Sequence, residues 1–243
     1  MSALASLARG FRTATLDLLY PPGCAACDEP LTDSAGFCEL CSATLVEIER
    51  PCRSCALPQR LSLQAQCVGC RGGPTPLDEV TAAFAFGGAL ADALRLLKFS
   101  ARTDLGERLG VLLAPALARL VARYPDPLVV PVPLSRQRLA ARGYNQSALL
   151  ALGACAGADR KLKVRVDVLD RIRDTAAQTG LTAPQRRMAL SGAFRTTAQV
   201  KGRTVLLVDD VMTTGATFAA CAGAVRAAGA SHVVALTVGR ALP

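Results

Sequence analysis

The chain has 243 residues, of which 51% are hydrophobic, and its formal net charge is +9. This length fits one large domain or a domain with a smaller appendage, and we expect two units. No stretch of eighteen uncharged apolar residues occurs, which argues against a membrane-spanning helix, and the 4% aromatic content predicts a core of Ala, Leu and Val.

The first twenty residues predict a short amphipathic helix. Apolar residues recur there at roughly helical spacing: Leu4, Leu7, Phe11 and Leu18. Arg9 and Arg12 fall where the apolar segment of a signal peptide would run, and no clear small-residue cleavage site follows. We therefore expect a cytoplasmic protein whose N-terminal helix packs on its own chain, with attachment to an anionic membrane surface as the alternative.

Eight of the ten cysteines form four CxxC pairs. These are Cys24/Cys27, Cys38/Cys41, Cys52/Cys55 and Cys67/Cys70. A CxxC turn brings two sulfurs close enough to share one zinc, and two turns complete a tetrahedral site. The spacing predicts two successive zinc ribbons, while an interleaved cross-brace, which pairs the first turn with the third, stays open. A disulfide framework and a redox centre are disfavoured, since nothing indicates export and the pairs come fourfold.

The predicted zinc sites are structural. Four thiolates leave no open position for a water molecule, and so short a segment needs the metal to fold. Each filled site adds two negative charges, which lowers the formal charge to about +5. Residues 1–78 carry six Lys/Arg against eight Asp/Glu, whereas residues 79–243 carry 22 against 11. Any contact with nucleic acid should therefore lie mainly on the larger domain.

A run of helix and strand breakers, RGGPTP at residues 71–76, separates the cysteine-rich segment from the rest. We place the boundary near residue 78. The predicted domains are residues 1–78, with the N-terminal helix and double zinc ribbon, and residues 79–243.

The larger domain alternates predicted strands and helices. The strands are residues 80–86, 128–132, 164–169, 204–208 and 233–238. The helices are residues 89–99, 105–124 with an interruption at Pro115, about 146–156 and about 216–228. This alternation predicts an α/β fold with a mostly parallel sheet flanked by helices, whose ligand site lies beyond the carboxyl ends of the strands.

The most informative segment is VLLVDDVMTTGAT at residues 205–217. Two acids, Asp209 and Asp210, follow a strand, and carboxylates at a strand end can accept hydrogen bonds from sugar hydroxyls. The next residues are a Thr/Gly loop that enters a helix: Thr213, Thr214, Gly215, Ala216 and Thr217. Hydroxyls and backbone N–H groups at the start of a helix suit a phosphate, and glycine permits close approach.

This segment resembles the signature of type I phosphoribosyltransferases that binds phosphoribosyl pyrophosphate (PRPP). The resemblance implies that Asp209 and Asp210 hold the ribose 2′- and 3′-hydroxyls and are the candidate catalytic residues. It also implies that residues 213–217 hold the 5′-phosphate.

Together with the fourfold CxxC module and PVPLSRQRLAARGYNQ at residues 131–146, the chain is similar to the ComF family over nearly its whole length. Members of this family are associated with natural transformation, in which imported single-stranded DNA is handled on the cytoplasmic side of the membrane.

Two arginine clusters lie in the ComF-like region. The first contains Arg136, Arg138 and Arg142, directly after a strand, and guanidinium groups there suit a pyrophosphate. Contact with a DNA backbone and a plain solvated face are the alternatives. The second cluster contains Arg171, Arg173, Thr175, Gln178, Arg186 and Arg187. Type I phosphoribosyltransferases carry a mobile loop at this point, so Arg173 and Gln178 are candidate lid residues, and DNA binding and a structural loop stay open.

Three hypotheses for function follow. The first is a PRPP-binding protein of the ComF type in natural transformation, with single-stranded DNA or DNA-import proteins as partners. The second is an active phosphoribosyltransferase, in which Mg²⁺ and the arginines stabilise departing pyrophosphate while an unknown acceptor attacks C1′. The third is a nucleic-acid or protein adaptor with a vestigial site. We favour the first because no acceptor-selecting residues are identifiable, and the sequence does not give the oligomeric state.

Overall fold

The computed structural model describes residues 23–31, 36–59, 66–67, 70, 75–158, 162–173 and 183–243. The predicted N-terminal helix, most of the predicted linker, Thr175 and Gln178 lie outside these residues. Within them, no helix has the length and apolar character that a membrane span needs.

The strands of the described residues, in chain order, are β1 (Glu79–Ala85), β2 (Leu128–Pro131), β3 (Leu169–Arg171), β4 (Phe194–Thr196), β5 (Thr204–Met212) and β6 (His232–Arg240). Four of them form a parallel sheet in the order β1-β6-β5-β2. The predicted parallel sheet is confirmed, and all four strands end at the same edge.

The helices are α1 (Glu39–Ser42), α2 (Gly88–Phe99), α3 (Asp104–Val111), α4 (Ala114–Arg123), α5 (Arg136–Arg142), α6 (Gln146–Gly157), α7 (Ala183–Leu190) and α8 (Ala216–Ala227). The helices predicted at 89–99, 146–156 and 216–228 are confirmed to within one residue. The one predicted at 105–124 is two helices, because Pro115 lies in the first turn of α4, where its missing N–H breaks no helical hydrogen bond.

The prediction of a strand at residues 164–169 was wrong. Val164 makes only an isolated parallel bridge with Val129, and a turn follows in which Arg165 donates to the Asp167 carboxylate at 2.8 Å. The chain then enters β3, which pairs antiparallel with β4 in a separate two-stranded sheet. Val166 is 67% exposed, so the apolar run did not indicate burial.

Each face of the parallel sheet is covered by helices, and the two faces have separate apolar cores. Helices α2, α3, α4 and α6 cover one face, where Leu206 and Val208 of β5 are buried. Helix α8 and the small sheet cover the other, where Val205 and Leu207 are buried. This alternation along β5 is the pattern of a central strand. Helices α3 and α6 approach so closely that a Cβ on Gly153 would lie 2.1 Å from the Glu107 carbonyl oxygen.

The cysteine-rich segment packs along the edge of the sheet. Ile48 N donates to Ala83 O at 3.0 Å, and Ala85 N donates to Val46 O at 2.8 Å. These bonds flank an antiparallel bridge between Glu47 and Phe84 of β1. The segment therefore covers an edge that would otherwise present unpaired backbone groups. The domain boundary near residue 78 stays a prediction.

Candidate functional site

The eight paired cysteines form two four-cysteine clusters. Cys24, Cys27, Cys38 and Cys41 form the first zinc site; Cys52, Cys55, Cys67 and Cys70 form the second. In each cluster the sulfurs all lie within 4.8 Å of one another. The sequential arrangement of two ribbons is therefore the observed one, and the cross-brace is not.

The sulfur spacing fits zinc. A tetrahedral zinc with bonds of about 2.3 Å to sulfur holds its sulfurs about 3.8 Å apart. In the first zinc site Cys27 Sγ lies 3.8 Å from Cys38 Sγ and 3.7 Å from Cys41 Sγ. In the second, Cys55 Sγ lies 3.8 Å from Cys67 Sγ. Both clusters thus have the dimensions and the thiolate donors of structural zinc sites.

A cleft of about 640 Å³ opens at the carboxyl edge of the parallel sheet. It lies between the ends of β2 and β5, the end of α2, helix α5 and the start of α8. The residues that line it include Lys98, Phe99, Arg138, Arg142, Tyr144, Arg171, Asp209, Asp210 and Thr217. The cleft therefore brings together the acids, part of the loop and part of the arginine clusters that the sequence singles out.

Asp209 and Asp210 are the sixth and seventh residues of the nine-residue strand β5, so they lie within the strand rather than after it. Asp210 is buried and Asp209 is half-buried. Ser147 Oγ donates to Asp209 Oδ1 at 2.8 Å, and the backbone N–H of Asp210 donates to the same oxygen at 2.9 Å. The backbone N–H of Val211 donates to Asp210 Oδ1 at 2.8 Å, and Lys98 Nζ forms an ion pair with Asp210 Oδ2. Lys98 is thus the counter-ion of the buried acid pair.

Asp209 has a strongly shifted titration. Burial, followed by the neighbouring charge of Asp210, raises its pKa from 3.8 to about 7, although hydrogen bonds from Ser147 and Asp210 and the charge of Lys98 act in the opposite direction. A carboxyl with such a pKa changes its charge near neutrality. Perturbed acids in a cleft are typical of functional sites.

The Thr/Gly loop connects β5 to α8. Gly215 has φ +76° and caps the helix, in the left-handed region that favours glycine. Thr214 Oγ1 accepts a hydrogen bond from the Ala216 N–H at 3.4 Å, and Thr217 lines the cleft. The first N–H groups of α8 therefore lie beside the acids, where the positive end of a helix favours an anion.

The first arginine cluster forms helix α5, which the sequence analysis did not predict. Ser135 caps it by accepting from the Arg138 N–H at 3.4 Å. Arg138 and Arg142 line the cleft, and Arg142 donates to Gln146 and lies 5.6 Å from the Phe99 ring centre. Arg136 is exposed and does not line the cleft.

The second arginine cluster is divided. Arg171, in β3, is 7% exposed, lines the cleft and stacks on Phe194 at 5.5 Å. Arg173 is exposed and donates to the Ser191 carbonyl, away from the lining of the cleft. The lid prediction for Arg173 and Gln178 therefore stays a prediction.

The sequence analysis assigned no role to Lys98 and Phe99, which line the cleft, or to Ser147, which donates to Asp209. The contacts of Lys98 and Ser147 join parts of the chain more than sixty residues apart, which no local pattern indicates. The signal available in the sequence was a basic residue followed by an aromatic one, Lys98 and Phe99, at the end of an apolar helix. In the structure Phe99 is 76% exposed.

Two family models match the chain. A double zinc ribbon domain matches residues 15–71, and a phosphoribosyl transferase domain matches residues 152–240. The DNA utilization protein YhgH of Escherichia coli O6:H1 is 35% identical over 225 residues, which are 89% of this chain and 96% of that protein. The protein of the same name from Salmonella typhi is 33% identical over 223 residues, with the same coverage. Competence protein F of Haemophilus influenzae is 38% identical over 92 residues, 37% of this chain and 39% of that protein.

Proposed function

Since this chain belongs to the ComF family, with a double zinc ribbon and a phosphoribosyltransferase domain, we propose that it binds PRPP in the cleft and acts in the use of imported DNA. The observation that supports PRPP binding most directly is a single cleft in which two adjacent acids lie between a helix-capping loop and a group of cationic side chains. PRPP has the complementary order, with ribose hydroxyls between a 5′-phosphate and a pyrophosphate.

In this proposal the ribose hydroxyls donate hydrogen bonds to Asp209 and Asp210. The 5′-phosphate accepts from the N–H groups and hydroxyls of residues 213–217, where the start of α8 favours an anion. Arg138 and Arg142 hold the pyrophosphate, because guanidinium groups present forked donors to phosphate oxygens. When PRPP binds, Lys98 can exchange Asp210 for a phosphate oxygen. The oxygen donors of Asp209 and Asp210 also suit Mg²⁺, which would add positive charge beside the pyrophosphate.

The DNA part of the proposal is supported by the relatives and by charge. The YhgH proteins are named for DNA utilization, and the Haemophilus protein is named for competence. Residues 79–243 carry 22 Lys/Arg against 11 Asp/Glu, an excess that favours a polyanion. We propose single-stranded DNA and DNA-import proteins as partners, in the cytoplasm.

A second candidate function is phosphoribosyl transfer to an acceptor. Phe99 favours it, because this side chain is 76% exposed at the cleft and offers a flat apolar face to an acceptor ring. In such a reaction Arg138 and Arg142 would stabilise the charge on the departing pyrophosphate.

The central test is calorimetric titration of the zinc-loaded protein with PRPP and Mg²⁺. We expect saturable binding by the wild type and none by an Asp209→Asn, Asp210→Asn variant that retains its fold by circular dichroism. Asp92→Asn is the matched control, since Asp92 is an exposed acid at the surface of α2 and should leave binding unchanged. Equal affinity in the wild type and the double variant would contradict the proposed site.

Two additional measurements separate the functions. Release of pyrophosphate from PRPP with one of a panel of nucleobases or amines would establish transfer. Binding of a fluorescent single-stranded oligonucleotide that weakens steeply with salt would support the DNA role. A protein that binds PRPP but shows no affinity for DNA at low salt would contradict direct DNA binding.

A further inference from the structure

Arg240, the last residue of β6, has a buried guanidinium that donates to four backbone carbonyls. Its side chain is 7% exposed. Nε donates to the Cys55 carbonyl at 2.6 Å. Nη1 donates to the carbonyls of Met212 at 3.1 Å, Thr213 at 2.5 Å and Ala241 at 2.5 Å. A buried guanidinium with four such bonds is fixed in position.

The carbonyls belong to two different parts of the molecule. Cys55 closes the CxxC turn of the second zinc site, in which Ala56 N also donates to Cys52 O at 2.8 Å. Met212 ends β5, and Thr213 is the first residue of the proposed phosphate loop. One side chain therefore joins a metal ligand of the zinc module to the start of the loop.

The charge of Arg240 also fits this position. The guanidinium is buried and lies against the Cys55 carbonyl, beside the cysteines of the second zinc site. A filled four-thiolate zinc site carries two negative charges and so offsets a buried cation beside it. The guanidinium and the second zinc site thus stabilise each other.

The first zinc site has a different attachment. Its neighbouring carbonyls, Gly23 and Gly36, accept from Arg108 of α3 at 2.8 and 3.3 Å. Helix α3 does not carry the phosphate loop. Loss of the second zinc site should therefore disturb the phosphate loop, whereas loss of the first should disturb the contact with α3.

We propose that Arg240 is a positioning residue through which the second zinc site fixes the phosphate loop. Zinc holds the turn that contains Cys55, the Cys55 carbonyl orients the guanidinium, and the guanidinium holds the Met212 and Thr213 carbonyls. Loss of zinc from this site then weakens binding of a sugar phosphate at the loop. This inference rests on the proposed PRPP site, and it adds that zinc in the second site controls the affinity of that site for a sugar phosphate.

The test uses ligands that report on separate parts of the cleft. Ribose 5-phosphate requires the acids and the loop, whereas inorganic pyrophosphate requires the arginines of α5. We expect Arg240→Met to weaken ribose 5-phosphate about tenfold, the worth of one charge-assisted hydrogen bond, and to change pyrophosphate affinity less than twofold. Arg240→Lys should not restore binding, because an ammonium cannot span both groups of carbonyls.

Two zinc-site variants supply the matched comparison. Cys67→Ser removes a ligand of the second zinc site, and Cys27→Ser removes one of the first, with zinc content measured by a chromogenic chelator. We expect Cys67→Ser to reproduce the ribose 5-phosphate loss and Cys27→Ser to leave that affinity within twofold. The double variant Cys67→Ser, Arg240→Met should be no worse than either single variant, since both act through one connection.

The outcomes distinguish failure of the connection through Arg240 from failure of the proposed PRPP binding. If the wild type binds neither ribose 5-phosphate nor PRPP, the proposed function fails. If the wild type binds both and Arg240→Met binds ribose 5-phosphate as tightly, only the link is overturned. Additive losses in the double variant would also overturn it. Should Cys67→Ser not fold, Arg240→Gln, which keeps one donor group, tests the same loss of ribose 5-phosphate binding.

Discussion

One side of the cleft presents backbone groups and the other presents long cationic side chains. The loop side, residues 213–217, is backbone whose shape depends on Gly215 at φ +76° and on the start of α8. The cationic side consists of long side chains, Lys98, Arg138 and Arg142, on α2 and α5. A site made of backbone groups depends on a single loop conformation, so a substitution that alters this conformation should cause a large loss of ligand affinity. On the cationic side several flexible side chains contribute to binding, so replacing one of them should reduce ligand affinity only in part.

The largest expected effect is on the loop side. Gly215→Val places a β-branched side chain at φ +76°, a conformation such residues rarely adopt, so the loop is strained away from its native shape. Its Cβ would also lie 2.6 Å from Met212 Cε. We expect PRPP affinity to fall about a hundredfold in calorimetric titration. Gly202→Val is the control, because Gly202 has φ +70° but nothing within 4 Å of an added Cβ and lies away from the cleft. If both variants bind PRPP like the wild type, the loop is not the phosphate site.

On the cationic side, Lys98 should matter most to the free protein. Lys98→Met leaves Asp210, whose side chain is 8% exposed, without its counter-ion. We expect the free energy of unfolding to fall by about 2 kcal/mol in urea at pH 7, less than for a fully buried pair because Lys98 is 25% exposed. Arg95→Met breaks the exposed pair with Asp92 and should cost less than about 1 kcal/mol. Equal losses would show that the ion pair of Lys98 stabilises the fold no more than the exposed pair does.

The arginines of α5 should show the graded behaviour. Arg138→Ala and Arg142→Ala are each expected to weaken pyrophosphate binding by about threefold to tenfold, and the double variant by about the product. Arg136→Ala is the control on the same helix, since Arg136 is exposed and outside the lining of the cleft. A loss for Arg136→Ala as large as for Arg142→Ala would extend the site along α5.

The same contrast explains how much the sequence could predict. The loop side is contiguous, so the strand, the acids, the glycine and the helix of residues 205–227 were all visible as one pattern. The cysteine spacing likewise predicted both zinc sites. Local sequence suffices where one short segment supplies every part.

The cationic side could not be predicted in this way. Helix α5 has seven residues without a buried face, and its limits are set by the Ser135 cap and by Gly143 at φ +80°. The pairing of Lys98 with Asp210 exists only once α2 packs on the sheet. Strands β3 and β4 have three residues each, too few for a periodic pattern.

The remaining prediction concerns the pH dependence of stability and tests the acid pair, Asp209 and Asp210, which lies between the loop side and the cationic side. Because the pKa of Asp209 is raised from 3.8 to about 7, the folded protein holds a proton there that the unfolded chain releases above about pH 4. The free energy of unfolding should therefore fall as the pH rises from about 4 to about 7, with a slope of about 0.7 kcal/mol per pH unit at half-titration near neutrality. Urea unfolding of the wild type and Asp209→Asn across this range measures the slope. The variant should lack this contribution, whereas Asp92→Asn should keep it, and an identical slope in Asp209→Asn would place the titrating group elsewhere.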